Sequence, residues 1–180
     1  PEVLEEHTDF FGNRLYYFVI EQEHVELTVT VRSQVEKVNG ACKQPAYPDQ
    51  SWEMVRDMVL SSTGEFMAEK QFTHPTQITA TTPEIKKYAE ISFIPGRSLF
   101  ESVYDLTKRI YTDFKFTPGF TTVSTPLSVV MKERKGVCQD FAHFAISCVH
   151  SVGLPARYVS GYLETLAPAG KEKLVGVDAS

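Results

Sequence analysis

The residue best placed for chemistry in this sequence is Cys138, within Gly136-Val137-Cys138-Gln139-Asp140-Phe141. Gly136 interrupts the preceding pattern, and no Gly or Pro follows until Gly153. Within that run, apolar residues recur at spacings of three and four, at Phe141, Phe144, Ala145, Cys148 and Val152. The pattern predicts a helix of about fifteen residues that carries Cys138 in its first turn and buries one side.

The first turn of a helix suits a nucleophilic thiol. Its unpaired backbone N–H groups and the positive end of the macrodipole stabilise a thiolate, which is the reactive form of cysteine. The same N–H groups can stabilise an oxyanion on an attacked carbonyl, and Gly136 leaves room for a substrate backbone. Asp140 lies in the same turn, where its charge opposes thiolate formation, so we assign it a structural role.

A structural interpretation of the cysteines competes with this one, because free cysteine usually behaves as a small buried hydrophobe. Cys148 lies on the apolar stripe and is predicted to be core. Cys42 lies in a loop near prolines, with no partner that the sequence identifies. The position of Cys138 therefore permits a nucleophile without establishing one.

A nucleophilic cysteine needs a base, which is normally histidine. His143 points about 140° away from Cys138 around the predicted helix, and His150 lies about 18 Å along it, so neither reaches the sulfur. The remaining histidines, His7, His24 and His74, lie where the pattern is weak. No spacing resembles CxxC or HExxH, so no metal site is predicted and a metal-dependent hydrolase is disfavoured.

The elements around this helix differ between the two halves of the chain. Alternation and β-branched or aromatic residues predict strands at 14–20 and 25–31. Another strand is predicted at 156–164, and one begins within 174–177. Helices are predicted near 51–60 and 83–91, with Ser51 and Thr82 as caps and Pro83 at the first helical position.

Two further helices are predicted between these segments and Cys138. Ser98 caps the first, and Thr125 with Pro126 repeats the arrangement of a cap followed by proline at the second. Pro95-Gly96 is the predicted domain boundary.

Composition limits the class of protein. The 180 residues are 42% hydrophobic and 23% charged, with a formal net charge of −5. This is ordinary globular composition, and the negative charge disfavours a nucleic-acid partner. No apolar run is long enough to span a bilayer, and the first 30 residues lack the layout of a signal peptide. Three cysteines make no disulfide framework, which favours a reducing, cytoplasmic location.

At these residues the sequence resembles bacterial transglutaminase-like proteins, which have a papain-like core and are often called cysteine proteases. Three segments carry the resemblance: 121–126 (TTVSTP), 136–143 (GVCQDFAH) and 153–162 (GLPARYVSGY). It extends from about Pro95 to Ser180, and the first 90 residues resemble the β-rich region that precedes this core.

The resemblance implies that Cys138 is the nucleophile of a Cys-His-Asp triad. Family members carry the histidine in a His-Ala-Trp segment just after an Asp-Ala-Ser stretch, and the aspartate on the next strand. Here 178–180 reads Asp-Ala-Ser, and the family His and Asp have no counterpart in the sequence. We therefore expect the chain to be the N-terminal portion of a longer protein and to lack turnover alone.

The expected fold class is α+β. Residues 1–94 would form a β-rich N-terminal domain, and 95–180 the N-terminal part of a transglutaminase-like core, with the catalytic helix packed on antiparallel sheet.

The expected function of the complete protein is thiol-dependent acyl transfer on peptide or glutamine amide bonds, through a thioester on Cys138. No cofactor is expected, and the expected partner is a protein or peptide substrate rather than nucleic acid or membrane. Hydrolysis, deamidation and cross-linking stay open, as does the oligomeric state. The alternative is a non-catalytic binding or scaffolding module that keeps the fold.

Overall fold

The computed structural model describes residues 4–30, 50–163 and 177–178. The chain divides into two compact units, Pro1–Lys43 and Gln44–Ser180. The boundary predicted from sequence at Pro95-Gly96 stays a prediction. Cys42 lies outside the described residues.

The first unit contains an antiparallel hairpin of β1 (Leu4–Thr8) and β2 (Arg14–Phe18), in which Leu4 lies opposite Phe18. Asp9 organises the turn, since its Oδ1 accepts hydrogen bonds from the N–H groups of Phe11 at 2.9 Å and Asn13 at 2.8 Å. The strand predicted at 14–20 is therefore present, although it ends two residues earlier.

The strand predicted at 25–31 is wrong over its described part, because residues 25–30 have no regular secondary structure. Val25, Leu27 and Val29, which the alternation assigned to one buried face, are all exposed. Alternation stabilises a strand only where one face packs on a core, and these three side chains have none.

Six helices and four short strands occupy the described part of the second unit. The helices are α1 (Trp52–Ser61), α2 (Met67–Lys70), α3 (Pro83–Glu90), α4 (Leu99–Asp113), α5 (Leu127–Glu133) and α6 (Cys138–Ser151). The strands are β3 (Lys115–Phe116), β4 (Lys135–Gly136), β5 (Tyr162–Leu163) and β6 (Val177–Asp178). A 3-10 turn, Gln71–Thr73, follows α2.

Three helix starts are confirmed. The side chain of Ser51 accepts a hydrogen bond from Met54 N at 3.3 Å, and that of Thr82 accepts one from Ile85 N at 3.3 Å. Ser98 Oγ accepts one from Glu101 N at 3.1 Å. Each bond satisfies an N–H group that the first turn leaves unpaired.

The helix predicted after Thr125-Pro126 is present as α5, but its predicted cap, Thr125, is wrong. Pro126 itself is the cap residue of α5, and no side chain caps this helix. The Thr125 hydroxyl instead accepts a hydrogen bond from Thr122 N at 2.9 Å, within the preceding turn.

The core of the second unit forms where α6 packs on α3, α4 and α5. The predicted stripe faces this core: Phe144 and Cys148 have no exposed surface, and Phe141, Ala145 and Val152 pack partly buried beside them. The Phe144 ring lies 4.9 Å from that of Phe114 and 5.2 Å from that of Tyr88, between centroids. The helix carrying Cys138 is thus anchored along its length.

The strands beside α6 differ from those predicted. β3 and β4 pair in parallel, with Phe116 opposite Gly136, and β4 contacts α6. The strand predicted at 156–164 is largely wrong over its described part, because 156–161 has no regular structure and, within 156–163, only Tyr162–Leu163 pairs, antiparallel to β6. The described packing of α6 is therefore mainly against helices and one parallel strand.

The architecture mixes helices with small two-stranded sheets and is α+β, as predicted. Over the residues that the structure describes, every helix is too short or too polar to cross a membrane.

Candidate active site

Cys138 is the first residue of α6, and its side chain is exposed. The residue before it, Val137, is the cap residue, with extended backbone angles (φ −115°, ψ 176°). A valine side chain has no acceptor atom, and no side chain caps the first-turn N–H groups from this position. The thiol is therefore solvent-exposed and lies beside backbone N–H groups that have no partner within the helix.

Asp140 fixes the backbone around this turn. It is buried, and its Oδ2 accepts hydrogen bonds from Val137 N at 2.8 Å and from Thr121 Oγ1 at 2.6 Å. The first bond is the half of a capping box in which the third helical residue reaches back to the cap residue. The structural role predicted for Asp140 is therefore seen in its contacts.

Gly136 lies against the same carboxylate. A Cβ built there would lie 2.7 Å from Asp140 Oδ2 and 2.9 Å from Asp140 Cβ, closer than such atoms approach in proteins. The sequence suggested that this glycine makes room for a substrate. In the structure it makes room for Asp140.

The loop before α5 brings Thr121 to Asp140. Thr117 N donates to Gly136 O at 2.8 Å, and Lys115 N donates to Arg134 O at 2.8 Å, so the loop leaves β3 alongside β4. The site thus joins two segments, one ending at the start of α6 and one containing Thr121.

Arg134 anchors the end of α5 just before β4. It ends that helix in the left-handed conformation (φ 53°), and its guanidinium lies over two buried rings, 5.0 Å from the centroid of Tyr88 and 4.8 Å from that of Phe114. A half-buried cation over aromatic faces holds the backbone that leads to Cys138.

Two histidines lie on α6 itself, and each contacts residues other than Cys138. His143 is half-buried and packs on Tyr158, with 5.3 Å between ring centroids. Burial lowers its pKa, although the negative charge of Asp140 acts in the opposite direction. His150 is buried, with Nε2 3.1 Å from Ala156 O.

The other three histidines are each described by their own local contacts. His7 pairs with Glu5 at 3.5 Å, His24 Nδ1 lies 2.9 Å from Gln22 O, and His74 is exposed after the 3-10 turn. Within the described part of the second unit, no histidine is hydrogen-bonded to Cys138, as the geometry of the predicted helix indicated for His143 and His150.

Cys148 is core, as predicted. It has no exposed surface, and burial raises its pKa to about 12, although the charges of Arg109 and Arg134 act to lower it. Such a thiol is protonated at neutral pH and shielded from reagents. Across 4–30, 50–163 and 177–178, no group of three or more His, Cys, Asp or Glu side chains is placed to hold a metal ion.

Sequence reasoning did not identify Thr121 as part of the site. Its hydroxyl bonds to a side chain nineteen residues later, and no local spacing marks such a contact. The threonines and serine of 121–125 all suit turns, so their types alone do not show which one leaves the loop to reach a helix.

Two family models match the chain. Residues 93–175 match the transglutaminase-like superfamily, and residues 1–36 match the bacterial transglutaminase-like N-terminal region. The predicted resemblance is confirmed by both.

Among curated proteins, an uncharacterized protein of Mycobacterium tuberculosis is 39% identical over 180 residues, covering 96% of this chain and 54% of the relative. One from Mycobacterium leprae is 29% identical over 157 residues, covering 86% and 52%. The chain spans about half the length of the curated relatives it matches.

One solved structure, named "Putative Cysteine Protease from Cytophaga hutchinsonii", superposes with a TM-score of 0.50 at 29% identity. The match covers 58% of this chain and 35% of that one. It supports the α+β, transglutaminase-like fold.

Proposed function

We propose that the protein is a thiol-dependent acyl-transfer enzyme with Cys138 as its nucleophile, because residues 1–36 match the bacterial transglutaminase-like N-terminal region and residues 93–175 match the transglutaminase-like superfamily. The observation that carries the proposal is the exposed Cys138 thiol at the first residue of α6, where the cap residue Val137 has no side-chain acceptor for the first-turn N–H groups. The surrounding contacts hold that turn in place without covering the sulfur.

The chemistry follows from the helix start. The Cys138 thiolate attacks the carbonyl carbon of an amide, forming a C–S bond and placing negative charge on the carbonyl oxygen. First-turn N–H groups are suited to stabilise that charge. The C–N bond then breaks, the amine leaves with a proton from a general acid, and an acyl thioester remains on Cys138. Water or an amine resolves the thioester and restores the thiol.

The proposed substrate is a peptide or glutamine amide carried by a protein or peptide. Hydrolysis, deamidation and cross-linking share the first step and differ in whether water or an amine reaches the thioester. The reaction requires no cofactor.

A complete reaction needs a base, which typically contributes about 10²–10⁴ in rate. No histidine in the described part of the second unit is hydrogen-bonded to Cys138. The proposal takes the family pattern for the base, which is a histidine in a His-Ala-Trp segment oriented by an aspartate.

Acylation by an activated ester tests the nucleophile without needing turnover. The chain would be incubated with p-nitrophenyl acetate, and acetyl groups would be located by mass spectrometry of peptides. We expect p-nitrophenolate release with one acetyl group on Cys138, and no such group in Cys138→Ala. Acetyl groups on lysines alone, at equal levels in both proteins, would contradict the proposal.

The same measurement separates the alternative, a binding module that keeps the fold. The function of such a module does not require a thiol at the helix start that an ester can acylate. It would bind a peptide equally well before and after Cys138 is alkylated, whereas an enzyme would lose its acyl transfer.

A further inference from the structure

Thr121 and Asp140 form a contact that the proposed chemistry does not use directly. The Thr121 hydroxyl donates to Asp140 Oδ2 at 2.6 Å, and the same oxygen accepts the Val137 N–H at 2.8 Å. Charge-assisted hydrogen bonds of this length are among the stronger ones in proteins. One carboxylate oxygen thus ties the loop before α5 to the residue that precedes Cys138.

The surroundings leave this carboxylate little freedom. Asp140 is buried, with 7% of its surface exposed, and Gly136 leaves space for the side chain where a larger residue would collide with it. A buried carboxylate needs hydrogen-bond donors to remain charged at low cost. Thr121 supplies one of the two donors that the structure describes on Oδ2.

The charge of Asp140 has a consequence for the nearby thiol. The negative charge of the carboxylate disfavours a thiolate on the sulfur in the same helical turn. This effect is larger when few hydrogen-bond donors compensate the charge of the carboxylate. The Thr121 hydroxyl both compensates the carboxylate and holds it on the Val137 N–H. Loss of the hydroxyl leaves a less compensated charge beside Cys138, with the Val137 N–H as its remaining described donor.

From these contacts we infer that Thr121 and Asp140 are positioning residues for Cys138. The Thr121 hydroxyl holds the Asp140 carboxylate in its hydrogen bond to the N–H of Val137, the residue before the nucleophile. This arrangement maintains the reactivity of the Cys138 thiolate. The inference rests on the proposed function, because it concerns the reactivity of the proposed nucleophile. Neither residue is assigned a contact with substrate.

The experiment measures the rate of alkylation of Cys138 by iodoacetamide at pH 7 in the chain and in matched variants. Thr121→Val removes the hydroxyl at constant size, and Thr121→Ser keeps it. Thr112→Val is the control, since Thr112 is exposed on α4 and its hydroxyl bonds only within its own helix, to Lys108 O at 2.9 Å.

We expect Thr121→Val to slow the alkylation of Cys138 about tenfold. This ratio of rates corresponds to the free energy of one hydrogen bond to a charged group. Thr121→Ser should restore the rate, and Thr112→Val should not change it. In an Asp140→Asn background, where no charge needs compensation, Thr121→Val should have little further effect. A purely structural contact would not produce this dependence on the charge of Asp140.

The outcomes separate the two proposals. If Cys138 in the unaltered chain reacts faster than a free thiol and Thr121→Val leaves that rate unchanged, the inference is overturned and the proposed function stands. An equal slowing by Thr121→Val in the Asp140→Asn background would also overturn it. If Cys138 in the unaltered chain reacts no faster than a free thiol, both fail.

Discussion

Gly136 and Asp140 fit against each other so closely that a Cβ on the glycine would lie 2.7 Å from the aspartate Oδ2. The fit links the end of β4 to the first turn of α6, because the same oxygen holds the Val137 N–H and the Thr121 hydroxyl. The environment of the proposed nucleophile therefore depends on a residue with no side chain.

Gly136→Ala should destabilise the protein by about 1–3 kcal/mol, because the added methyl group must displace Asp140 from two hydrogen bonds. Urea unfolding measures the loss. Gly64→Ala is the matched control, since a Cβ there would meet nothing within 4 Å. Equal stability of the two variants would show that Asp140 relaxes without cost.

Phe144→Ala should cost about 3–5 kcal/mol of unfolding free energy, because a fully buried ring is lost from between Tyr88 and Phe114. Tyr111→Ala on α4 is the control, since that ring is 87% exposed. Thermal or urea unfolding reports both. Losses of similar size would contradict the assignment of the stripe on α6 to the core.

The stripe shows what could be predicted about this helix and what could not. Apolar spacing alone located α6 and its buried face, because a helix of this length repeats its contacts every turn. Burial of Asp140 was not predictable in the same way, since its partner Thr121 lies on a distant loop. The spacing gave no base for Cys138, and the described contacts contain none.

The wrong strand predictions have a related cause. Val25, Leu27 and Val29 alternate as a half-buried strand does, yet all three are exposed. A strand takes its stability from neighbours that a local pattern does not specify. The predicted cap Thr125 failed because a turn within its own loop competes for the hydroxyl.

Alkaline pH should destabilise the protein through Cys148. Burial raises the pKa of Cys148 from 9.0 to about 12, so the folded state keeps a proton that the unfolded chain releases. The stability that this thiol contributes is complete below about pH 9 and is lost as pH rises toward about 12. Between those values the unfolding free energy should fall more steeply than in Cys148→Ala, by up to about 1.4 kcal/mol per pH unit.

Urea unfolding at several pH values provides this comparison. The difference in slope between the two proteins is the quantity of interest, because lysine and tyrosine titration is common to both. Parallel curves over this range would contradict the buried, protonated state of Cys148.

Cys138→Ala should change the unfolding free energy by no more than about 0.5 kcal/mol, because an exposed side chain at a helix start packs little. Cys148→Ala at neutral pH should cost about 1 kcal/mol or more, since it leaves a void in the core. Thermal unfolding of the two variants checks the contrast. A loss of several kcal/mol in Cys138→Ala would assign that residue to the core instead.

The rate at which iodoacetamide labels each cysteine of the native chain near neutral pH tests the central claim most directly. Mass spectrometry of the peptides would give separate rates, with N-acetylcysteine in the same tube as an unperturbed thiol. The account predicts that Cys138 reacts faster than this reference and far faster than Cys148. Slow labelling of Cys138 and Cys148, with Cys138 no faster than the reference, would contradict a nucleophile at the start of α6.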